Sequence, residues 1–135
     1  MGSIVGIDSV IFAYFLQSHP EYGIRAEKIL ETVEKGERKG IFSVIGVIEV
    51  LTAPKQLGHP EVATEYREFF ANFPNLKIKG ITEGVVERAS DLRAKYGLRT
   101  PDAIHIATAI DFGAQSFVTN DQRLKKITEI EVILL

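Results

Sequence analysis

The sequence predicts an α/β fold: a mainly parallel sheet of about five strands with helices on both faces. Three observations lead there. Short apolar runs of strand length alternate with helix-period segments from end to end. Glycine, proline and hydroxyl residues punctuate most of the junctions. Acidic residues fall just past apolar runs, where open α/β sheets gather their functional groups. A length of 135 residues predicts one domain, spanning 1–135, that buries about two-thirds of its unfolded surface.

Ser3-Ile-Val-Gly-Ile7 forms the first strand and Asp8 ends it. The next stretch, Ser9 to Gln17, is apolar on nearly every side. Val10 to Leu16 must therefore be covered by the core, by a second copy or by another partner. His19-Pro20 breaks this segment. Tyr22, Ala26, Ile29, Leu30 and Val33 then make one helical stripe, opposite Glu27, Lys28, Glu31 and Lys35, and Gly36 ends the helix. Ile41 to Ser43 is a second strand, leading into an apolar helix from Val44 to Leu51 with Pro54 as its stop. His59-Pro60 opens another helix, whose inner face is Val62, Tyr66, Phe69 and Phe70. Leu76 to Ile78 is the third strand. Thr82 caps a helix that turns Val85, Val86, Ala89, Leu92 and Tyr96 inward, and Gly97 follows its end. Thr100 and Pro101 begin the next helix as N-cap and first residue, and Gly113 closes it. Ser116 to Thr119 and Glu131 to Leu134 supply the last strands.

Composition narrows the chemistry. Hydrophobic content of 45% with 25% charged residues is ordinary for a soluble globular protein. The absence of cysteine excludes disulfides and thiolate zinc or iron–sulfur sites, and suits a reducing compartment. No apolar run approaches the roughly 18 residues of a membrane span. The first seven residues lack a basic region followed by a cleavable apolar core. A cytoplasmic protein without membrane attachment is expected. A net charge of −2 argues against broad adhesion to nucleic acid, while leaving room for a basic rim around an acidic pocket.

Four acids carry the functional reading: Asp8, Glu49, Asp102 and Asp121. Asp8 and Asp121 stand just past strands, and each would also serve as a helix cap or turn residue. Asp102 lies in a first helical turn, which the helix dipole alone favours by about 0.3–1 kcal/mol. Yet the helix that follows it is so apolar that Asp102, in line with Ile106 and Ala109, should point along a buried face. Glu49 interrupts an apolar helix expected to face the core, with Gly46 and Ala53 leaving space beside it. A buried carboxylate there would need a partner, and a solvated edge is the alternative. Crowded carboxylates raise one another's pKa unless a cation offsets them. Hard oxygen donors without cysteine or clustered histidine select Mg²⁺ or Mn²⁺ over zinc. Such an ion suits hydrolysis of a nucleic-acid backbone.

At these residues the chain resembles PIN-domain ribonucleases, most closely the VapC-type toxins of prokaryotic toxin–antitoxin pairs. Thr100-Pro-Asp-Ala-Ile-His-Ile-Ala-Thr-Ala109 resembles the family's third acidic motif almost word for word. Val118-Thr-Asn-Asp121 is similar to the fourth, Ile7-Asp-Ser9 to the first, and Ser43 through Glu49 to the second. The likeness runs over nearly the whole length. It implies a three-layer PIN-like fold and a Mg²⁺- or Mn²⁺-dependent endoribonuclease. It also implies that Asp8, Glu49, Asp102 and Asp121 form the catalytic pocket, with Asp8 and Asp102 as direct metal ligands and Ser9 and Thr119 as supporting hydroxyls. A homodimer, and an antitoxin whose C-terminal part reaches the active-site groove, follow from the same resemblance. Two departures stand out: Arg123-Leu124 where relatives often have Asp-Phe, and Ser9 where threonine is frequent.

Among the remaining residues, His105 reads as a hydrogen-bonded structural histidine, and His19 and His59 as loop residues. Arg99, Arg123 and Lys125 neighbour the acids in sequence and would hold RNA phosphates or simply lie in water. Phe12, Tyr14, Phe15, Phe69 and Phe70 read as core or dimer interface. Two other functions compete: a free-standing PIN nuclease in RNA processing, and a non-catalytic Mg²⁺-binding signalling domain of receiver type. The receiver pattern wants paired acids after the first strand, whereas Asp8 stands alone. A phosphatase of the haloacid type wants Asp-x-Asp, and Asp8-Ser-Val10 lacks it.

Overall fold

The computed structural model describes residues 3–135. Met1 and Gly2, part of the segment read for a secretion signal, lie outside them. The elements run β1 (Ser3–Ile7), α1 (Ser9–Leu16), α2 (Gly23–Glu34), β2 (Arg38–Ser43), α3 (Val44–Gln56), α4 (Pro60–Asn72), β3 (Leu76–Lys79), α5 (Glu83–Tyr96), α6 (Thr100–Asp111), β4 (Ser116–Thr119), a 3₁₀ turn (Gln122–Lys126) and β5 (Glu131–Leu134). The five strands form one sheet in the order β3-β2-β1-β4-β5. All four pairings are parallel, with Ser3 opposite Arg38, Val5 opposite Ser116, Gly40 opposite Leu76 and Ser116 opposite Glu131.

Strand alternation divides the core between the two faces of the sheet. Val5, Ile7 and Val118 pack with Ile11 and Phe12 of α1, Ala26, Leu30 and Val33 of α2, Val50 of α3 and Phe70 of α4. Phe117 and Val132 pack with Val85, Ala89 and Leu92 of α5 and with Ala103, Ile106 and Ala107 of α6. The three-layer α/β architecture expected from the alternation is therefore present. Gly6 makes one of these layers possible: a Cβ there would collide with Ala109 of α6 and approach the Phe117 ring to 3.0 Å. Only glycine lets α6 lie this close to the central strand.

Several boundaries differ from expectation. Pro54 does not stop α3, which runs on to Gln56 with the proline inside. It sits in the last turns, where its ring costs one bond to a carbonyl four residues back. Leu57 N donates to Ala53 O at 3.1 Å and so continues the ladder beyond it. Arg99 rather than Thr100 is the N-cap of α6, and Thr100 and Pro101 are its first residues. β2 starts at Arg38, earlier than the apolar run suggests, because Gly40 and Lys39 pair with β1 although they add little hydrophobicity. Val86 faces solvent rather than the core. The α1 segment is covered partly by the core: Ile11 and Phe12 are fully buried, while Val10, Tyr14, Phe15 and Leu16 are half-buried. Among the described residues no helix is long and apolar enough to cross a membrane.

Candidate active site

The chain leaves β1 toward β2 and β3 on one side and returns through β4 on the other, so the strand order reverses between β1 and β4. Carboxyl ends of strands at such a reversal diverge and leave a crevice. Asp8 follows β1 there, its backbone N donating to Val118 O of β4 at 3.0 Å. Asp121 lies two residues beyond β4. Asp102 arrives from the first turn of α6, and Glu49 from α3. A cleft of about 320 Å³ is lined by these four acids with Ser9, Arg99 and Asn120 among their neighbours.

Each carboxylate is held differently. Asp8 occupies the N-cap position of α1 but makes no side-chain cap. Its Oδ2 instead accepts from Thr119 Oγ1 at 2.7 Å, and its Oδ1 from Ser9 Oγ at 3.4 Å. Both hydroxyls singled out in the sequence thus lie on this acid. Thr119 Oγ1 in turn accepts from the backbone N of Asp121 at 3.1 Å, linking the two strand-end acids. Asp121 caps the 3₁₀ turn by accepting from Arg123 N at 3.0 Å, and the Arg123 guanidinium also binds it. That guanidinium bond is the main reason its carboxyl titrates below the ordinary range, with burial working in the other direction. Asp102 accepts from Arg99 Nε at 3.3 Å.

Glu49 corrects one expectation and meets another. It is more exposed than a core-facing helix would allow, as are Val44 and Ile48 beside it. Gly46 leaves no open space: a Cβ there would collide with the Phe42 ring and come within 2.9 Å of His105. The required partner is His105, whose Nε2 lies 2.6 Å from Glu49 Oε1. A carboxylate can only accept, so Nε2 carries the hydrogen. This bond is the largest cause holding Glu49 below the usual carboxylate range, and partial burial opposes it. His105 itself is buried, stacks 6.1 Å from Phe42 and leaves Nδ1 without a partner. It is the hydrogen-bonded histidine expected, with the added consequence that its partner is a site acid.

A PIN domain model matches residues 6–130. The chain belongs to the PIN domain family. Among solved structures, VapBC2 from Rickettsia felis bound to a promoter DNA fragment is similar at 19% identity and TM-score 0.79, covering 98% of each chain. DNA-bound VapBC from Salmonella typhimurium aligns at 18% identity and TM-score 0.75, over 99% of this chain and 98% of that one. VapC20 from Mycobacterium tuberculosis, a toxin cleaving the sarcin–ricin loop, aligns at 14% identity and TM-score 0.72, over 96% and 99%. At such identities the likeness is one of fold. No match was found among curated proteins.

In this PIN domain the donor chemistry suits a hard, hydrated divalent cation: the cleft offers carboxylate oxygens and hydroxyls, and the chain has no cysteine. Among the described residues no three Asp, Glu or His side chains stand close enough to close around one ion. A closed zinc-type cage is thus absent from this geometry, whereas a cation that keeps most of its waters needs only one or two carboxylates. Arg99 and Arg123 do reach the acids, but Lys125 turns away, its Nζ donating to Val132 O at 3.0 Å.

Tyr14 and Asn120 escaped notice in the sequence. Tyr14, grouped there with the core aromatics, lines the cleft, and its hydroxyl accepts from Asn120 Nδ2 at 3.0 Å. The position of Asn120 between Thr119 and Asp121 was the available signal. Phe12 and Phe70 are core, as expected, with Phe15 and Phe69 packed against them. His19 does more than occupy a loop: its Nδ1 accepts from the backbone N of Glu21 at 3.1 Å and of Tyr22 at 3.0 Å, fixing the turn that leads into α2.

Proposed function

We propose that residues 1–135 form a single PIN domain acting as a metal-dependent endoribonuclease, the toxin of a toxin–antitoxin pair. Asp8, Glu49, Asp102 and Asp121 are its catalytic acids, Asp8 and Asp102 the direct ligands of Mg²⁺ or Mn²⁺, and Ser9 and Thr119 the supporting hydroxyls. One observation carries this: four carboxylates from four separate segments line a single open cleft at the strand reversal. When bound, the ion lowers the pKa of a coordinated water and offsets charge developing on the phosphodiester. Thr119 and Ser9 fix the Asp8 carboxylate by donating to its two oxygens. His105 keeps Glu49 ionised and oriented, so that Glu49 offers a free acceptor to an incoming water. No side chain of the cleft forms a covalent bond to the substrate.

The fold likeness to VapBC assemblies supports an antitoxin partner. An antitoxin reaching the cleft, a homodimer and a cytoplasmic setting complete the reading. Phe15 and Leu16 of α1 and the exposed Ile24 of α2 line a second cleft, a surface that a partner would cover.

Purified protein should cut structured RNA with Mg²⁺ or Mn²⁺ and stop when EDTA is added. Asp8→Asn should lower the rate by at least about 100-fold, the scale of losing a principal transition-state contact. Cleavage retained by that variant would defeat the assignment. Induced expression should arrest growth, and co-expression of an adjacent reading frame should relieve it. Cleavage without growth arrest would instead favour an RNA-processing nuclease, and metal binding without cleavage a signalling domain.

A further inference from the structure

Two of the four acids are already occupied by cations of the chain itself. Arg123 donates from Nε to both oxygens of Asp121, at 3.0 and 3.2 Å, and from Nη2 to Oδ2 at 2.7 Å. Arg99 Nε donates to Asp102 Oδ2 at 3.3 Å. The carboxylate side chains are 26% and 17% exposed, whereas those of Arg123 and Arg99 are 68% and 72% exposed. Both arginines therefore cover an acid from the solvent side with most of their own surface in water. Ion pairs so exposed are weak and readily exchanged.

Each acid also has a support from the backbone. Asp121 caps the 3₁₀ turn through the backbone N of Arg123, and the guanidinium adds nothing to that cap. Asp102 already lies where a helix dipole favours an acid. Lys125 shows the contrast: it lies only four residues from Asp121, yet its Nζ is spent on a backbone carbonyl. Four carboxylates facing two guanidinium groups also leave the charge deficit that one divalent ion offsets.

We propose that Arg99 and Arg123 are shared groups. They neutralise Asp102 and Asp121 until a hydrated divalent cation, held directly by Asp8 and Asp102 and through its waters by Asp121, offsets the charge of both acids, and the freed guanidinium groups then grip phosphates of the RNA backbone. This rests on the nuclease reading above. A planar fork matches carboxylate and phosphate alike, so the exchange replaces the bonds to the acids by charge-assisted bonds to phosphate. By linkage, what the metal releases the RNA gains, and each promotes binding of the other.

The test sets Arg99→Ala and Arg123→Ala against Lys125→Ala, which removes the same charge without touching an acid. Mn²⁺ binding is followed without RNA, from the spin-resonance signal of the free ion. Arg123→Ala, which frees an acid from a bidentate pair, should bind Mn²⁺ about three- to tenfold more tightly than wild type, and Arg99→Ala, which frees one from a single bond, about two- to fivefold. Lys125→Ala should change it by less than about twofold. At saturating Mn²⁺ the arginine variants should raise KM for RNA about three- to tenfold with kcat kept within about threefold, and flatten its salt dependence. Arginine variants that bind Mn²⁺ no more tightly than Lys125→Ala would overturn the exchange while leaving the nuclease intact. A wild-type protein that neither binds Mn²⁺ nor cuts RNA would remove both proposals together.

Discussion

Tyr96 Oη donates to Glu129 Oε1 at 2.6 Å, and Lys95 Nζ to Oε2 at 3.1 Å, tying the end of α5 to the loop before β5. The tyrosine bond is the main cause holding the Glu129 carboxyl down at about 2, with Lys95 adding to it and burial opposing. A depressed acid stabilises the fold above its unfolded value of 4.5 and loses that contribution as pH falls toward 2. Because the pair is solvent-screened, the contribution is only about 0.5–1 kcal/mol. Glu129→Gln should lower the urea midpoint at pH 7, and the gap to wild type should shrink as pH falls below 4.5 and close only near or below pH 2. A gap that stays constant across that range would assign the effect to packing instead. The same scale explains what could be read of the site. Asp8, Asp102 and Asp121 announce themselves by standing at strand ends or in a first helical turn. The bond from His105 to Glu49 spans 56 residues of sequence, and no local pattern encodes it.

Among the elements, α6 carries the site because it can lie flat on β1, and Gly6 is the residue that permits this. Gly6→Val should destabilise the fold by about 1–3 kcal/mol through overpacking and lower Tm by several degrees. It should also reduce cleavage, since any outward shift of α6 moves Asp102 away from Asp8. Unchanged Tm would mean that α6 is looser on the sheet than its contact with Gly6 indicates. In α3 a hydrophobic count misleads. Its residues are apolar on more than one side, yet Gly46 and Val50 face inward while Val44 and Ile48 face out. Periodicity cannot choose between apolar faces. The choice falls to Gly46, whose missing side chain admits the Phe42 ring. Pro54 misleads in the opposite sense, since a proline near a helix end removes little and need not stop it.

For the whole molecule, a cation held in the cleft of the folded state alone stabilises it by mass action. Mn²⁺ at about 100 times its Kd should add roughly 2.7 kcal/mol and raise Tm by several degrees. Asp8→Asn should abolish that rise even where it folds normally, and an equal rise in the variant would place the ion elsewhere. The sequence by itself determined the α/β class, the five strands and the four acids that line the cleft, because strand and helix periods, caps and turn residues are local properties written in adjacent positions. Only the tertiary structure decided the strand order, which makes β1 and β4 neighbours and turns three scattered aspartates and a glutamate into one cleft. It also decided that Glu49 rests on a buried histidine and that two arginines sit on two of the acids. Such partners depend on how distant segments pack, and packing is settled by shape and volume that a one-dimensional pattern of polar and apolar residues does not carry.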